Sequence, residues 1–236
     1  MPEPAIFFPV DQLDLTFAPQ PWRFADARRA EIDAYFEALK RQKPALWNGR
    51  VLLLNDHRLD GRVLRGRYLE TDYASFTAWR AWGRSPGGVY DCFGAAAIIA
   101  ADGAVLLGVM GPHTVNAGWI YFPCGTPDLS DVIDGKVDLD FSVQRELKEE
   151  TGCEASAFTV EPGWTMVADG NLIAMIKTLR SRDGADALRS RMLAHLETEQ
   201  EPELSDIRIV RGPADFDPAM PRFVTAFLRY HFAGPH

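Results

Sequence analysis

The run Arg145-Glu146-Leu147-Lys148-Glu149-Glu150-Thr151-Gly152-Cys153 constrains this chain more than any other stretch. It places three glutamates in what reads as the closing turn of a helix, with Gly152 as the stop. A helix often ends on a left-handed residue, which glycine adopts without strain. At about 100° per residue, Glu146, Glu149 and Glu150 share one arc of about 100°. Helix C-termini carry partial negative charge, so each acid there is unfavourable by roughly 0.3–1 kcal/mol. Glu146 and Glu150 are also a like-charge pair one turn apart, which adds a few tenths of a kcal/mol. Stability alone would select Lys or Arg here. A bound divalent cation would reverse the sign of each term, and that sets these acids apart from an ordinary solvated helix face.

The rest of the chain bounds what such a cation could serve. At 236 residues, 47% hydrophobic and 25% charged, it has the composition of a globular protein with one large domain, or one domain and an extension. The net charge of −8 argues against binding nucleic acid or an anionic membrane through bulk electrostatics. A phosphate substrate fits only if cations bridge it to acids. The N-terminus shows no basic segment followed by an apolar one, and the longest apolar runs fall far short of a membrane span. Cys92, Cys124 and Cys153 have no C-x-x-C spacing, which suggests neither a disulfide framework nor a zinc site. A reducing cytoplasm is the expected compartment.

Along the chain, Asp26–Arg41 predicts an amphipathic helix with Ile32, Tyr35, Phe36 and Leu39 on one face, ended by Pro44. Val51–Asn55 and Arg62–Leu69 read as strands around an Asp60-Gly61 turn. Thr71 or Asp72 is placed to cap a helix carrying Phe76, Trp79 and Trp82. Ser85-Pro86-Gly87-Gly88 reads as a linker. Beyond it, Phe93–Ala100 and Ala104–Met110 flank Asp102-Gly103, and Trp164–Ala168 and Leu172–Leu179 flank Asp169-Gly170, both as hairpins. Helices are expected over Asp140–Thr151, Ala185–Thr198 and Pro221–His231, with a strand at Ile207–Val210. This α/β order fits an α/β/α sandwich over residues 89–236, preceded by a smaller α+β extension over residues 1–88.

Arg145-Glu146-Leu147-x-Glu149-Glu150-x-Gly152-Cys153 resembles the core of the Nudix box, the signature of enzymes that hydrolyse nucleoside diphosphates linked to another group. Pro123-Cys124-Gly125 resembles the opening of that box, whose pattern runs Gly, five residues, Glu, seven residues, then the core. Two departures stand out. The stretch from Gly125 to Arg145 is six residues longer than the pattern, and the box's first Glu, eight positions before the Arg, falls on Val137, with Asp134, Asp138 and Asp140 nearby. The resemblance implies a mixed sheet between helices and a Mg²⁺- or Mn²⁺-dependent pyrophosphohydrolase. It also implies Glu149 and Glu150 as the principal metal ligands, with Glu146 a further ligand or the group that orients water. Arg145 would hold a box carboxylate, and the backbone carbonyl of Cys124 would be another ligand. A further carboxylate from a distant loop is expected among Glu199, Glu201 and Glu203, with Glu203 preferred because it directly precedes a strand. The alternative is a Nudix-fold nucleotide sensor or interaction module without turnover, which the altered box would suit.

The remaining candidates are read against their structural alternatives. His113 could touch a substrate phosphate, though a lone loop His is more often structural. Trp119, Tyr121 and Phe122 could stack a base, though aromatics in a strand are usually core. Arg62, Arg65 and Arg67 could grip phosphate, though such arginines more often belong to a solvated edge strand. Cys124 and Cys153 have no adjacent base to activate a thiol. Gly118-x-x-x-Phe122-Pro123-Cys124-Gly125 resembles the approach to the box in members that cleave coenzyme A. Those carry arginines nearby, and residues 91–144 contain none. Asn48-Gly49-Arg50 and Thr71-Asp72-Tyr73 resemble the extension of members acting on UDP-sugars. A small-molecule nucleotide, as a nucleoside diphosphate sugar or related dinucleotide, is therefore the expected substrate class. An extension with exposed strands would also suit a homodimer.

Overall fold

The computed structural model describes residues 5–84 and 88–234. It opens with two strands absent from the sequence expectation, β1 (Ile6–Val10) and β2 (Gln12–Phe17). The single helix expected over Asp26–Arg41 is two, α1 (Arg23–Ala27) and α2 (Arg29–Gln42). Arg28 leaves helical geometry between them (φ −118°, ψ 20°), with its guanidinium 4.0 Å from the centre of the Trp82 ring. Strands β3 (Arg50–Asp60) and β4 (Val63–Asp72) follow, then α3 (Tyr73–Ala81), capped by Asp72 through the Ser75 amide. Residues 85–87 of the expected linker lie outside the described residues.

The second part begins with β5 (Val89–Ile99), β6 (Val105–Met110), β7 (Ile120–Tyr121), β8 (Val132–Ile133) and β9 (Lys136–Val137). Next come α4 (Leu139–Thr151), β10 (Thr159–Val160), β11 (Trp164–Asp169), β12 (Leu172–Arg180), α5 (Ala185–Leu196), β13 (Leu204–Val210) and α6 (Arg222–Phe232). The sheet is mixed. Strands β12 and β5, and β2 and β4, run parallel, and the other pairings are antiparallel. Strand β1 pairs with β11, so the first residues are woven into the sheet of the second part.

Burial follows the two-residue period of the strands. In β3, Leu52 and Leu54 join the main core, while Val51 and Leu53 face Trp22, Ile32, Phe36, Phe76 and Trp79 from α1, α2 and α3. An apolar run of this kind needs cover on both faces. In β5, Phe93 meets Phe223 of α6 at 5.6 Å between ring centres. Its neighbour Gly94 faces α4, where the Val143 side chain and the Leu139 carbonyl fill the space a Cβ would need. Helices α6 and α4 therefore lie on opposite faces, which makes the α/β/α sandwich.

Strand β5 is also where the sheet splits. Its start pairs with β3 through Val89 and Tyr90, and its end pairs with β6 through Ile98 and Ile99. Pro123-Cys124 enters the gap. Ala95 bridges Cys124, the Ala96 amide donates to the Pro123 carbonyl at 2.9 Å, and the Leu52 amide donates to the Pro127 carbonyl at 2.7 Å. The sheet thus grips Cys124–Gly125 from both sides, directly beneath α4.

Because α4 sits this close to β5, Gly94→Val is expected to lower stability by about 1–3 kcal/mol through overpacking. Urea unfolding measures it, and a change under about 0.5 kcal/mol would mean that the helix is not seated there.

Candidate functional site

Helix α4 starts on the Asp138 side chain, which accepts from the Phe141 amide at 3.0 Å. It ends on Gly152 in the left-handed conformation (φ 68°), as the sequence leads one to expect. Its inner face buries Val143, Leu147 and Thr151, and that same face carries Glu146 and Glu150 inward. Glu150 is 3% exposed, and neither of its carboxylate oxygens has a hydrogen-bond partner among the described residues. Burial raises its pKa well above the ordinary carboxylate value, and Glu146 and Glu203 push it further, while the Cys124 backbone opposes the rise. Burial raises Glu146 as well; Arg145 works against that shift, and Glu203 and Glu149 add to it.

Glu149 stands at the rim, its side chain 58% exposed, and meets Arg145 at 3.1 Å. Arg145 also meets Glu146 at 2.8 Å. Glu203 is exposed, and the protein packed around it still raises its pKa. His113 opposes that rise, and Glu149 adds to it. Of the three loop acids, Glu203 is the one whose charge is felt at both Glu146 and Glu150. Glu199 reaches towards His195 at 3.9 Å, and Glu201 is exposed. Gly125 lies against Glu146 so closely that any side chain there would run into the carboxylate.

The structure changes one reading of the box. Counting back from Arg145 puts the first acid's position at Val137, which is buried in the short strand β9. Counting forward from Gly125 by the same pattern lands on Asp131. Asp131 is fully buried, and both of its oxygens accept from Arg145, at 3.1 Å and 3.3 Å. One of them also accepts from the Asp128 amide at 3.0 Å. The six extra residues are Val132–Val137, the β8–β9 hairpin, whose base is closed by the Asp138 amide on the Asp131 carbonyl at 2.8 Å. Measured against the box pattern, the extra length lies after Asp131. Asp138 and Asp140, the other nearby acids, are engaged elsewhere, in the helix cap and in a 2.9 Å pair with Lys177.

Among the described residues, no group of three or more His, Cys, Asp or Glu side chains stands ready to hold a metal ion. Two of the box glutamates are turned to Arg145. The donor chemistry nevertheless fits a hard dication. Glu150 offers two buried, unsatisfied oxygens, with Glu146, Glu203 and the Cys124 backbone close by. Such a carboxylate is strongly unfavourable unless a cation or a proton neutralises it.

Beside Gly125 opens a pocket of about 270 Å³, lined by Arg80, Arg84, Asn116, Trp119, Tyr121 and Arg222 among others. The arginines missing from residues 91–144 thus arrive from either side of that stretch. Trp119 is 47% exposed there, whereas Phe122 is core. Arg62, Arg65 and Arg67 are not on an edge strand, since β4 lies between β2 and β3, and they pair with Asp11, Asp14 and Asp56. Asn48 and Asp72 both serve the start of α3, accepting from the Ala74 and Ser75 amides. The Cys124 thiol is held well above its ordinary pKa, by burial first and then by Glu150 and Glu146, which opposes a thiolate nucleophile.

No family model matches the chain, and no curated protein does. Solved structures similar to it include a Nudix hydrolase from M. smegmatis, RenU (16% identity, 61% of this chain and 86% of that one, TM-score 0.39). Another is the bifunctional NMN adenylyltransferase/ADP-ribose pyrophosphatase from Francisella tularensis, complexed with AMP and Mn ion (14%, 67% and 45%, TM-score 0.42). A third is the Nudix domain of Shewanella oneidensis NrtR complexed with ADP-ribose (17%, 57% and 81%, TM-score 0.34). These likenesses are loose, and the chemistry below rests on the residues of this chain.

Two outcomes are expected. A raised carboxyl pKa adds stability below the unfolded value of about 4.3, and that stability is lost as pH rises through the folded value. In EDTA, wild-type Tm should therefore fall between about pH 5 and pH 8, and Glu150→Gln should flatten that fall; identical profiles would contradict the burial of Glu150. Asp131→Ala should destabilise by about 2–4 kcal/mol in urea, since it leaves Arg145 without its fully buried partner.

Proposed function

We propose that this chain is a divalent-metal-dependent hydrolase of pyrophosphate bonds in nucleoside diphosphate derivatives, with Mg²⁺ or Mn²⁺ as cofactor. The observation that carries the reading is the buried, unpartnered Glu150 carboxylate beside Glu146 and Glu203. Glu146, Glu149, Glu150, Glu203 and the Cys124 carbonyl would hold the metal. When bound, a dication neutralises phosphate oxygens and lowers the pKa of water. Glu146, whose proton affinity burial raises, is suited to accept a proton from the attacking water. Arg145 positions Glu146 and Glu149 and is itself fixed by Asp131. Gly125 keeps the approach to Glu146 open.

Residues 89–236 form the catalytic domain in this proposal, with residues 1–88 as its extension. A nucleoside diphosphate sugar or related dinucleotide is the favoured substrate. The second reading, a nucleotide sensor without turnover, is supported by the donors that Arg145 occupies.

Phosphate release from a nucleotide panel, with and without Mg²⁺ or Mn²⁺, separates the two readings. Hydrolysis should require metal, and Glu149→Gln and Glu150→Gln should each lower kcat by about 100-fold or more with little loss of folding stability. Glu150→Gln should also abolish the metal-induced rise in Tm, which for wild type corresponds to about 2.7 kcal/mol at 100 times Kd. Turnover that survives both chelation and these substitutions would end the assignment.

A further inference from the structure

The pocket beside Gly125 is built largely by parts of the chain outside the acidic helix. Arg80 comes from α3, in the extension. Its guanidinium lies 5.3 Å from the centre of the Phe76 ring and donates to the Asn116 amide oxygen at 3.1 Å. The Asn116 amide nitrogen donates in turn to the Tyr121 hydroxyl at 3.0 Å. Lys43, at the end of α2, ties the same loop down through the Pro112 carbonyl at 3.0 Å and the Thr114 carbonyl. The extension thus fixes both the arginine and the loop that bears Trp119.

The charges in this pocket are unequal. Arg84 is matched by Asp91 at 3.3 Å, and Arg222 by Asp169 at 2.9 Å. Arg80 meets a neutral amide and the Phe76 ring, and among the described residues no carboxylate pairs with it. Its planar, forked guanidinium suits phosphate. Trp119, 47% exposed, lines the same pocket, and a base stacked on an aromatic ring gains about 1–3 kcal/mol. Cys124 and Gly125 also line the pocket, and Gly125 abuts Glu146. A volume of about 270 Å³ is at the lower end of the ~300–1,000 Å³ of small-molecule sites, enough for one nucleoside-sized unit.

We propose that this pocket binds the nucleoside half of the substrate, with its ring against Trp119, its phosphate on Arg80 and the remaining phosphate directed past Gly125 towards the glutamates. The extension then completes the substrate site and sets its specificity. The inference deepens the hydrolase reading and rests on it for the word substrate; nucleotide binding itself is tested separately.

Calorimetric titration of the metal-free full chain with AMP, UMP, GMP and CMP, each beside its nucleoside, is the experiment. At least one monophosphate should bind about 10-fold more tightly than its nucleoside. Arg80→Ala should erase that difference, Arg80→Lys should restore part of it, and Trp119→Ala should weaken nucleotide and nucleoside alike. In turnover assays the loss in Arg80→Ala should fall on KM more than on kcat, the reverse of Glu150→Gln. Monophosphate affinities within twofold of wild type in both Arg80→Ala and Trp119→Ala, or no binding by wild type, would overturn the proposal. Arg80-dependent binding without hydrolysis would leave it standing and end the hydrolase reading. Hydrolysis with an unaltered KM in Arg80→Ala would do the opposite. If Arg80→Ala does not fold, Asn116→Ala, which frees the guanidinium without removing it, is expected to weaken the same monophosphate.

Discussion

Burying a carboxylate with nothing to neutralise it is among the least favourable arrangements a fold can hold, and the buried Glu150 therefore needs either a proton or a cation. Its oxygens lie under α4, against the sheet, with Glu146 and Glu203 adding like charge. Packing enforces the burial: the face of α4 that inserts Val143 and Leu147 into the core carries Glu146 and Glu150 with it. A protein without use for the negative charge would have an apolar residue there, since replacing buried ions by apolar residues of similar volume is often neutral or stabilising.

Arg145 keeps that arrangement from failing. It spans Asp131, Glu146 and Glu149, so one cation serves three carboxylates while Glu150 is left to whatever enters the cleft. The split in β5 matters for the same reason. The segment carrying Cys124–Gly125 is tied to β5 and β3 by backbone hydrogen bonds, and backbone geometry of this kind moves far less than a loop side chain. A side chain at position 125 would displace Glu146, so the loop and the helix can only be placed together.

Much of this was legible beforehand because it is local. Helix α4, its glycine stop, the hairpins at Asp102-Gly103 and Asp169-Gly170 and the Asp72 cap all follow from residues a few positions apart. What escaped depends on distance along the chain. Strand β1 contains Pro9 and makes sense only against β11, some 150 residues later. Strand β2 alternates Leu13, Leu15 and Phe17 with polar residues, but its partners β4 and β9 give the alternation its meaning. Arg80, Arg84 and Arg222 share a pocket that no spacing rule announces. Asp131 stands at the pattern's spacing from Gly125, and the β8–β9 hairpin hides that spacing when it is counted back from Arg145.

A segment can be added at little energetic expense where its two ends are already adjacent. The Asp138 amide on the Asp131 carbonyl marks such a place. The hairpin grown there folds back onto β2, with Lys136 opposite Thr16 and its amine on Asp14 at 2.5 Å. Val137 meanwhile fills core that an acid could not. The added residues thus link the glutamate helix to the extension on one side, while Arg80 and Asn116 link the extension to the pocket on the other. Residues 1–88 therefore contact the rest of the chain both at the β8–β9 hairpin and at the loop that carries Asn116.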